Sequence, residues 1–225
     1  MIDLVIFDFD GVVVDSEVAS NGLLAEIATE LGHPMDMSGA VRFFGGSTLF
    51  QQLEKLAMLA GGKLPEDFGT ALQERTMSAL AAVQPLPGLE HFLDWLGPLP
   101  ICIGSTSAPE RIEFCLDAAG LSDRFSGNVF SVSMVGRNKP APDIFLHAAE
   151  RMGTSPQRCL VIEDSPHGVV AGRAAGMGVI GLAAASHLAA GHPERLLAAG
   201  ADHVAESYGE VRQLMQRHFG FAAAR

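Results

Sequence analysis

Leu4-Val5-Ile6-Phe7-Asp8-Phe9-Asp10-Gly11 sets the first strand and the first candidate site of the chain. Five of its first six residues are apolar, the pattern of a strand buried on both faces. Asp8 interrupts the run. A carboxylate between Phe7 and Phe9 is costly to desolvate unless it is paired, hydrogen-bonded or bound to a cation. In extended chain residues i and i+2 point to the same side, so Asp8 and Asp10 converge, and Gly11 lets the chain turn there. Two converging carboxylates suggest a metal-assisted site.

Outward from this strand, short β-like runs recur at Pro100–Gly104, Asn128–Val132, Cys159–Glu163, Gly178–Gly181 and His203–Ala205. Helical patterns separate them, over Leu89–Leu96, Pro109–Ala119, Pro142–Arg151 and Pro166–Ala175. Three of these open on proline, which suits a first helical turn, and Gly120, Gly153 and Gly176 follow as stops. The alternation implies parallel strands with right-handed crossovers, hence a doubly wound parallel α/β sheet. Residues 15–86 break the alternation. They carry helical periodicity over Glu17–Leu31, Thr48–Leu59 and Pro65–Val83 and no convincing strand, far more chain than a βα connection needs. The expected organisation is an α/β core of residues 1–14 and 87–225 with an inserted all-helical unit, residues 15–86, over the end of the first strand. Pro85-Leu86-Pro87-Gly88 reads as the return linker.

The chain has 225 residues, 48% of them hydrophobic, and a formal net charge of −11, which disfavours nucleic acid and anionic membrane surfaces as partners. Cys102, Cys115 and Cys159 have no metal-ligand spacing and read as reduced core thiols of a cytoplasmic protein. No apolar run approaches the roughly 20 residues of a membrane helix, and no signal segment is expected before the first strand.

In open α/β sheets ligands collect at the carboxyl ends of the strands. Those ends deliver Asp8 and Asp10, then Ser105-Thr106-Ser107, then Glu163-Asp164-Ser165, with Arg137 and Lys139 between the last two. Converging acids without a counter-ion would repel and take up protons. A divalent cation held by hard oxygens, suited to Mg2+, removes that difficulty. Ser105 and Lys139 then become donors for an anion, and metal, donors and cation together describe a phosphoryl site in which a carboxylate can be the nucleophile.

Phe7-Asp8-Phe9-Asp10-Gly11-Val12, Ser105, Lys139-Pro140 and Glu163-Asp164-Ser165-Pro166-His167-Gly168 resemble the four motifs of the haloacid dehalogenase superfamily. The helical insert, and Lys139-Pro140-Ala141-Pro142-Asp143-Ile144-Phe145, resemble the subgroup of β-phosphoglucomutase and small sugar-phosphate phosphatases. The resemblance implies a Rossmann-like hydrolase core with a helical cap. It makes Asp8 the nucleophile and Asp10 the general acid–base, with Ser105, Thr106 and Lys139 as phosphate binders. Mg2+ would be held by Asp8, the Asp10 carbonyl, Asp164 and, more weakly, Glu163. Asp10 counts against the dehalogenases that named the superfamily.

Where the mutase of the subgroup carries a His, an Arg and a further basic residue, this chain has Ser20, Thr48 and Ala108. The expected reaction is therefore phosphomonoester hydrolysis, and the Asp15-Ser16-Glu17 stretch and overall layout resemble bacterial phosphatases acting on sugar phosphates or sugar-acid phosphates such as 6-phosphogluconate. A mutase-type phosphotransferase and a non-catalytic phosphate-binding domain are the alternatives. The cap should set the substrate, with Arg42 and Gly46 as its contact candidates, and His167 could line the pocket rim. The expected partner is a small phosphorylated metabolite, and the chain a monomer or weak homodimer. Ser105 could instead cap the helix region at Pro109 and Asp164 or Ser165 the helix at Pro166, and Gly168 and Gly172 are read as close helix–sheet packing.

Overall fold

The computed structural model describes residues 2–45, 47, 49–185, 188 and 190–221. In chain order its elements are β1 (Leu4–Phe7), α1 (Ser16–Glu30), α2 (Met37–Phe44), α3 (Leu49–Leu59), α4 (Phe68–Leu80), α5 (Leu89–Leu96), β2 (Ile101–Ser105), α6 (Pro109–Ala118), α7 (Ser122–Phe125), β3 (Val129–Ser131), α8 (Asp143–Arg151), β4 (Cys159–Glu163), α9 (Pro166–Ala174), β5 (Gly178–Leu182), α10 (His192–Ala198), β6 (His203–Ala205) and α11 (Tyr208–His218). The chain divides into two compact units, Met1–Asp15 with Gln84–Arg225, and Ser16–Val83. The expected return linker begins inside the first unit, because Leu86 N–H donates to Val13 O at 2.9 Å and Val14 bridges Pro85 antiparallel.

The first unit is built on one parallel sheet of order β3-β2-β1-β4-β5-β6. β1 lies between β2 and β4, with Phe7 beside both Ile103 and Ile162, and all four of its residues are buried. Alternation along β1 divides its side chains between two faces. Leu4 and Ile6 join Ile144, Phe145, Val169 and Leu196, the inner residues of α8, α9 and α10. Phe7, on the opposite face, meets Phe92 of α5 and Phe125 of α7 edge-on, with ring centroids 6.2 and 5.8 Å apart. Helices thus cover both faces, as a doubly wound sheet requires. Asp8 is the first residue past the paired segment of β1, and its N–H still donates to Ile162 O at 2.9 Å.

The second unit packs α1–α4 around a separate core of Leu23, Leu24, Ile27, Ala40, Phe44, Leu56 and Leu72. Fully burying each of the larger side chains is worth about 1.5–3 kcal/mol, which lets this short segment hold its own shape. The sequence reading lacks α2, α7, α10 and α11. Gly39, a poor helix former, lies inside α2, and the N-cap Asp36 accepts from its N–H at 2.7 Å. Among the described residues no helix is long and apolar enough to cross a membrane.

Candidate active site

The site assembles where β1, β2 and β4 end in the first unit. Its centre is Lys139, which follows β3 and precedes α8, its peptide bond to Pro140 being cis. The Lys139 side chain is only 4% exposed and its Nζ donates to Asp8 Oδ1 at 2.6 Å and to Glu163 Oε1 at 2.7 Å. It also sits 4.7 Å from the centre of the Phe145 ring, a favourable cation–π placement. Burial would lower the Lys139 ammonium's affinity for its proton, but Asp8 and Glu163 hold it above the usual lysine range, so the ammonium stays charged. Burial raises Asp8 to about 7, against the pull of Lys139.

Glu163 is fully buried, and both its oxygens are engaged. Lys139 takes Oε1, while Ser165 donates to Oε2 from its backbone N–H at 2.7 Å and from its hydroxyl at 3.0 Å. Lys139 is thereby held between Asp8 and Glu163. The same Ser165 hydroxyl accepts from Gly168 N–H at 3.0 Å and is the N-cap of α9. Gly168 packs α9 close against the sheet as its sequence position predicts, and a Cβ there would fall on the carboxylate of Glu163, the last residue of β4. Gly172 is also a packing glycine, with Val179 and Val161 against the space of its missing side chain. Gly11 has φ +77°, and a Cβ there would strike the Asp164 carboxylate. The turn after the first motif therefore needs glycine twice over, for its backbone and for the approach of Asp164.

Asp8, Glu163 and Asp164 each bring a ligand atom to within 4.8 Å of the others. This oxygen-only donor set suits a hard divalent cation. Because Glu163 is committed to Lys139 and Ser165, Asp8 and Asp164 are the carboxylates best placed to hold one. Behind Asp164, His192 contacts its carbonyl oxygen through Nε2 at 2.5 Å. Arg195 donates to His192 Nδ1 at 3.0 Å, which makes Nε2–H the donor toward Asp164.

Ser105 is buried at the end of β2 and Thr106 beside it is exposed. Ser105 caps no helix: its hydroxyl accepts from Ser107 N–H at 3.0 Å, and the N-cap of α6 is Ala108. Asp10 is gripped by Ser107, the last of the three hydroxyl residues after β2, and by Arg111, which the sequence pattern does not single out. Ser107 donates to Asp10 Oδ2 at 2.6 Å, and Arg111 Nη1 lies 2.7 and 2.8 Å from Oδ1 and Oδ2. Tyr208 of α11 donates to Val12 O at 2.8 Å and ties down the turn that follows Asp10. Only the i, i+4 spacing of Ser107 and Arg111 across a proline-started helix left a trace in sequence. His192 and Tyr208 left none. His167 is exposed on the first turn of α9. In the helical unit Arg42 is exposed and hydrogen-bonded to Ser38 of its own helix. Ser20 belongs to α1, while Gly46 and Thr48 lie outside the described residues.

Residues 2–176 match the family model of haloacid dehalogenase-like hydrolase. A HAD family hydrolase from Deinococcus radiodurans R1, solved with bound phosphate and sodium, is similar with a TM-score of 0.85 and 33% identity, over 99% of either chain. Fructose-1-phosphate phosphatase YqaB of Escherichia coli K12 is 32% identical over 78% of this chain and 93% of its own. The 6-phosphogluconate phosphatase of the same organism is 25% identical over 83% and 85%. The chain belongs to the haloacid dehalogenase-like hydrolases.

Proposed function

We propose that the chain is a Mg2+-dependent phosphoric monoester hydrolase that passes the phosphoryl group of a small phosphomonoester to Asp8 and then to water. The observation that carries this reading is the buried Asp8–Lys139–Glu163 arrangement beside Asp164. It keeps a carboxylate rotamer and an ammonium in place within a buried site, where electrostatic contacts act strongly. An Asp8 oxygen attacks phosphorus as the bond to the leaving oxygen breaks. Asp10, two residues on, protonates that oxygen. It then takes a proton from the water that attacks phosphorus, restoring Asp8 and releasing inorganic phosphate. Lys139, with Ser105 and Thr106, binds the phosphoryl oxygens. Bound at Asp8, Asp164 and the Asp10 carbonyl, Mg2+ would supply positive charge that offsets the charge of the phosphoryl group. Glu163 acts through Lys139 and Ser165.

The sugar-phosphate and sugar-acid phosphatases among the relatives support a substrate of that class, 6-phosphogluconate included. The net charge of −11 favours a small metabolite over nucleic acid. Arg42 and Gly46 of the cap remain the contacts proposed for the sugar. The three buried free cysteines support a cytoplasmic location, and we read the chain as a monomer or weak homodimer. Asp8→Asn should abolish turnover of p-nitrophenyl phosphate in a protein that keeps its circular dichroism spectrum. Chelator should silence the wild type and added Mg2+ restore it. Near-normal turnover by the Asn variant would overturn the nucleophile assignment. A panel of sugar phosphates, sugar-acid phosphates and nucleotides assigns the substrate, and release from none of them favours a binding domain.

A further inference from the structure

The groups that hold Asp10 form a closed triangle. Ser107 O–H donates to Asp10 Oδ2 at 2.6 Å, Arg111 Nη1 reaches both carboxylate oxygens, and the same nitrogen lies 2.6 Å from Ser107 Oγ. The Asp10 and Arg111 side chains are 20% and 22% exposed, so the pair is partly shielded from water and screening. The triangle rests on a firm base. Ser107 N–H donates to Ser105 Oγ at 3.0 Å, and the Ser107 carbonyl accepts from the buried Ser131 hydroxyl at 2.7 Å. Ser131 ends β3 and pairs in register with Ser105 of β2. The anchor of Asp10 is thereby fastened to two strands of the sheet. Ala108 follows these hydroxyl residues, and a cation arrives three residues on, with Arg111 on Asp10.

We infer that Arg111, with Ser107, is a positioning residue for Asp10, holding its carboxylate in the rotamer from which it serves the leaving group. The inference rests on the reading of Asp10 as proton carrier. Arg111 needs no contact with the phosphoryl group, since Lys139 already supplies the charge at Asp8. A misplacement of about 1 Å in a catalytic group costs on the order of 100-fold in rate. The expected loss on truncating Arg111 is therefore about 10- to 100-fold.

The leaving group separates this role from phosphate binding. Phenyl phosphate needs its departing oxygen protonated, whereas 2,4-dinitrophenolate leaves unaided. Arg111→Ala should lower kcat/KM for phenyl phosphate by about 10- to 100-fold while that for 2,4-dinitrophenyl phosphate stays within about threefold. Ser107→Ala should show a smaller loss of the same pattern, and Arg111→Lys should recover part of it. Equal losses on both esters, or no loss on either, would overturn the inference. Asp10→Ala, measured beside them, tells the two levels apart. If Asp10→Ala discriminates between the esters and Arg111→Ala does not, Arg111 does not position it. If Asp10→Ala loses both esters equally, the proton-carrier reading of Asp10 fails, and the inference with it.

Discussion

Replacing Gly168 by Ala sets helix propensity against the geometry of the site. Gly168 is the third residue of α9, with no left-handed backbone to protect, so propensity alone credits alanine with about 1 kcal/mol of stabilisation. The structure reverses the sign. The new methyl would occupy the place of the Glu163 carboxylate, which must move and release Lys139 at 2.7 Å and Ser165 at 2.7 and 3.0 Å. Hydrogen bonds to a charged group are worth about 1.5–3 kcal/mol each. Loss of two of these three costs about 3–6 kcal/mol, and subtracting the propensity gain leaves a net loss of about 2–5 kcal/mol. Urea unfolding followed by the fluorescence of Trp95, the single tryptophan, reads this in the hydrolase unit, where Trp95 sits on α5. In a Glu163→Ala background the obstructing atoms are gone. There Gly168→Ala should be neutral or stabilising by up to about 1 kcal/mol, a coupling of a few kcal/mol between the two positions. A stabilised single variant, or the same cost in both backgrounds, would refute the argument that Gly168 makes room for Glu163.

Three further outcomes follow from the same contacts. The metal-free folded chain holds a proton on Asp8 up to about pH 7 that the unfolded chain releases near its ordinary value of 3.8, so stability from this group declines as pH rises through that window. A cation must displace that proton, so the apparent Mg2+ affinity should fall about tenfold per pH unit below about 7 and level off above it. Mg2+-dependent thermal shifts from pH 5.5 to 8 would measure this, and a flat profile would contradict it. Tyr208→Phe removes the donor to the buried Val12 carbonyl and should cost about 1–3 kcal/mol in urea; an unmoved midpoint would show that the turn after Asp10 does not depend on it. Cys102, Cys115 and Cys159 are buried, and burial pushes the last two thiols up to about 11. Ellman's reagent should accordingly titrate none in the native protein and three in urea, and a fast native reaction would show an opening that the fold does not provide.

The alternation of strand and helix, the acids at the end of β1 and the helical character of residues 16–83 were all written locally. Apolar runs, proline starts and glycine stops act over a few residues, and the eye reads them at that range. Helices with polar stretches or an internal glycine, such as α11 and α2, escaped, because their stability comes from caps and from neighbours. Within the site, Asp8, Lys139 and Asp164 were named through motifs. What Glu163 and Gly168 do there came only from the folded chain, where one carboxylate fills the space that one glycine leaves. The same holds for Arg111 on Asp10, His192 on the Asp164 carbonyl and Tyr208 on the Val12 carbonyl. These partners are separated by 101, 28 and 196 residues. Which segments extend or coil, and which acids end a buried strand, follow from neighbouring residues, since periodicity and desolvation cost are local properties. Which distant donor answers each of those acids follows from the folded chain alone, because a hydrogen bond depends on a distance in space that no local pattern records.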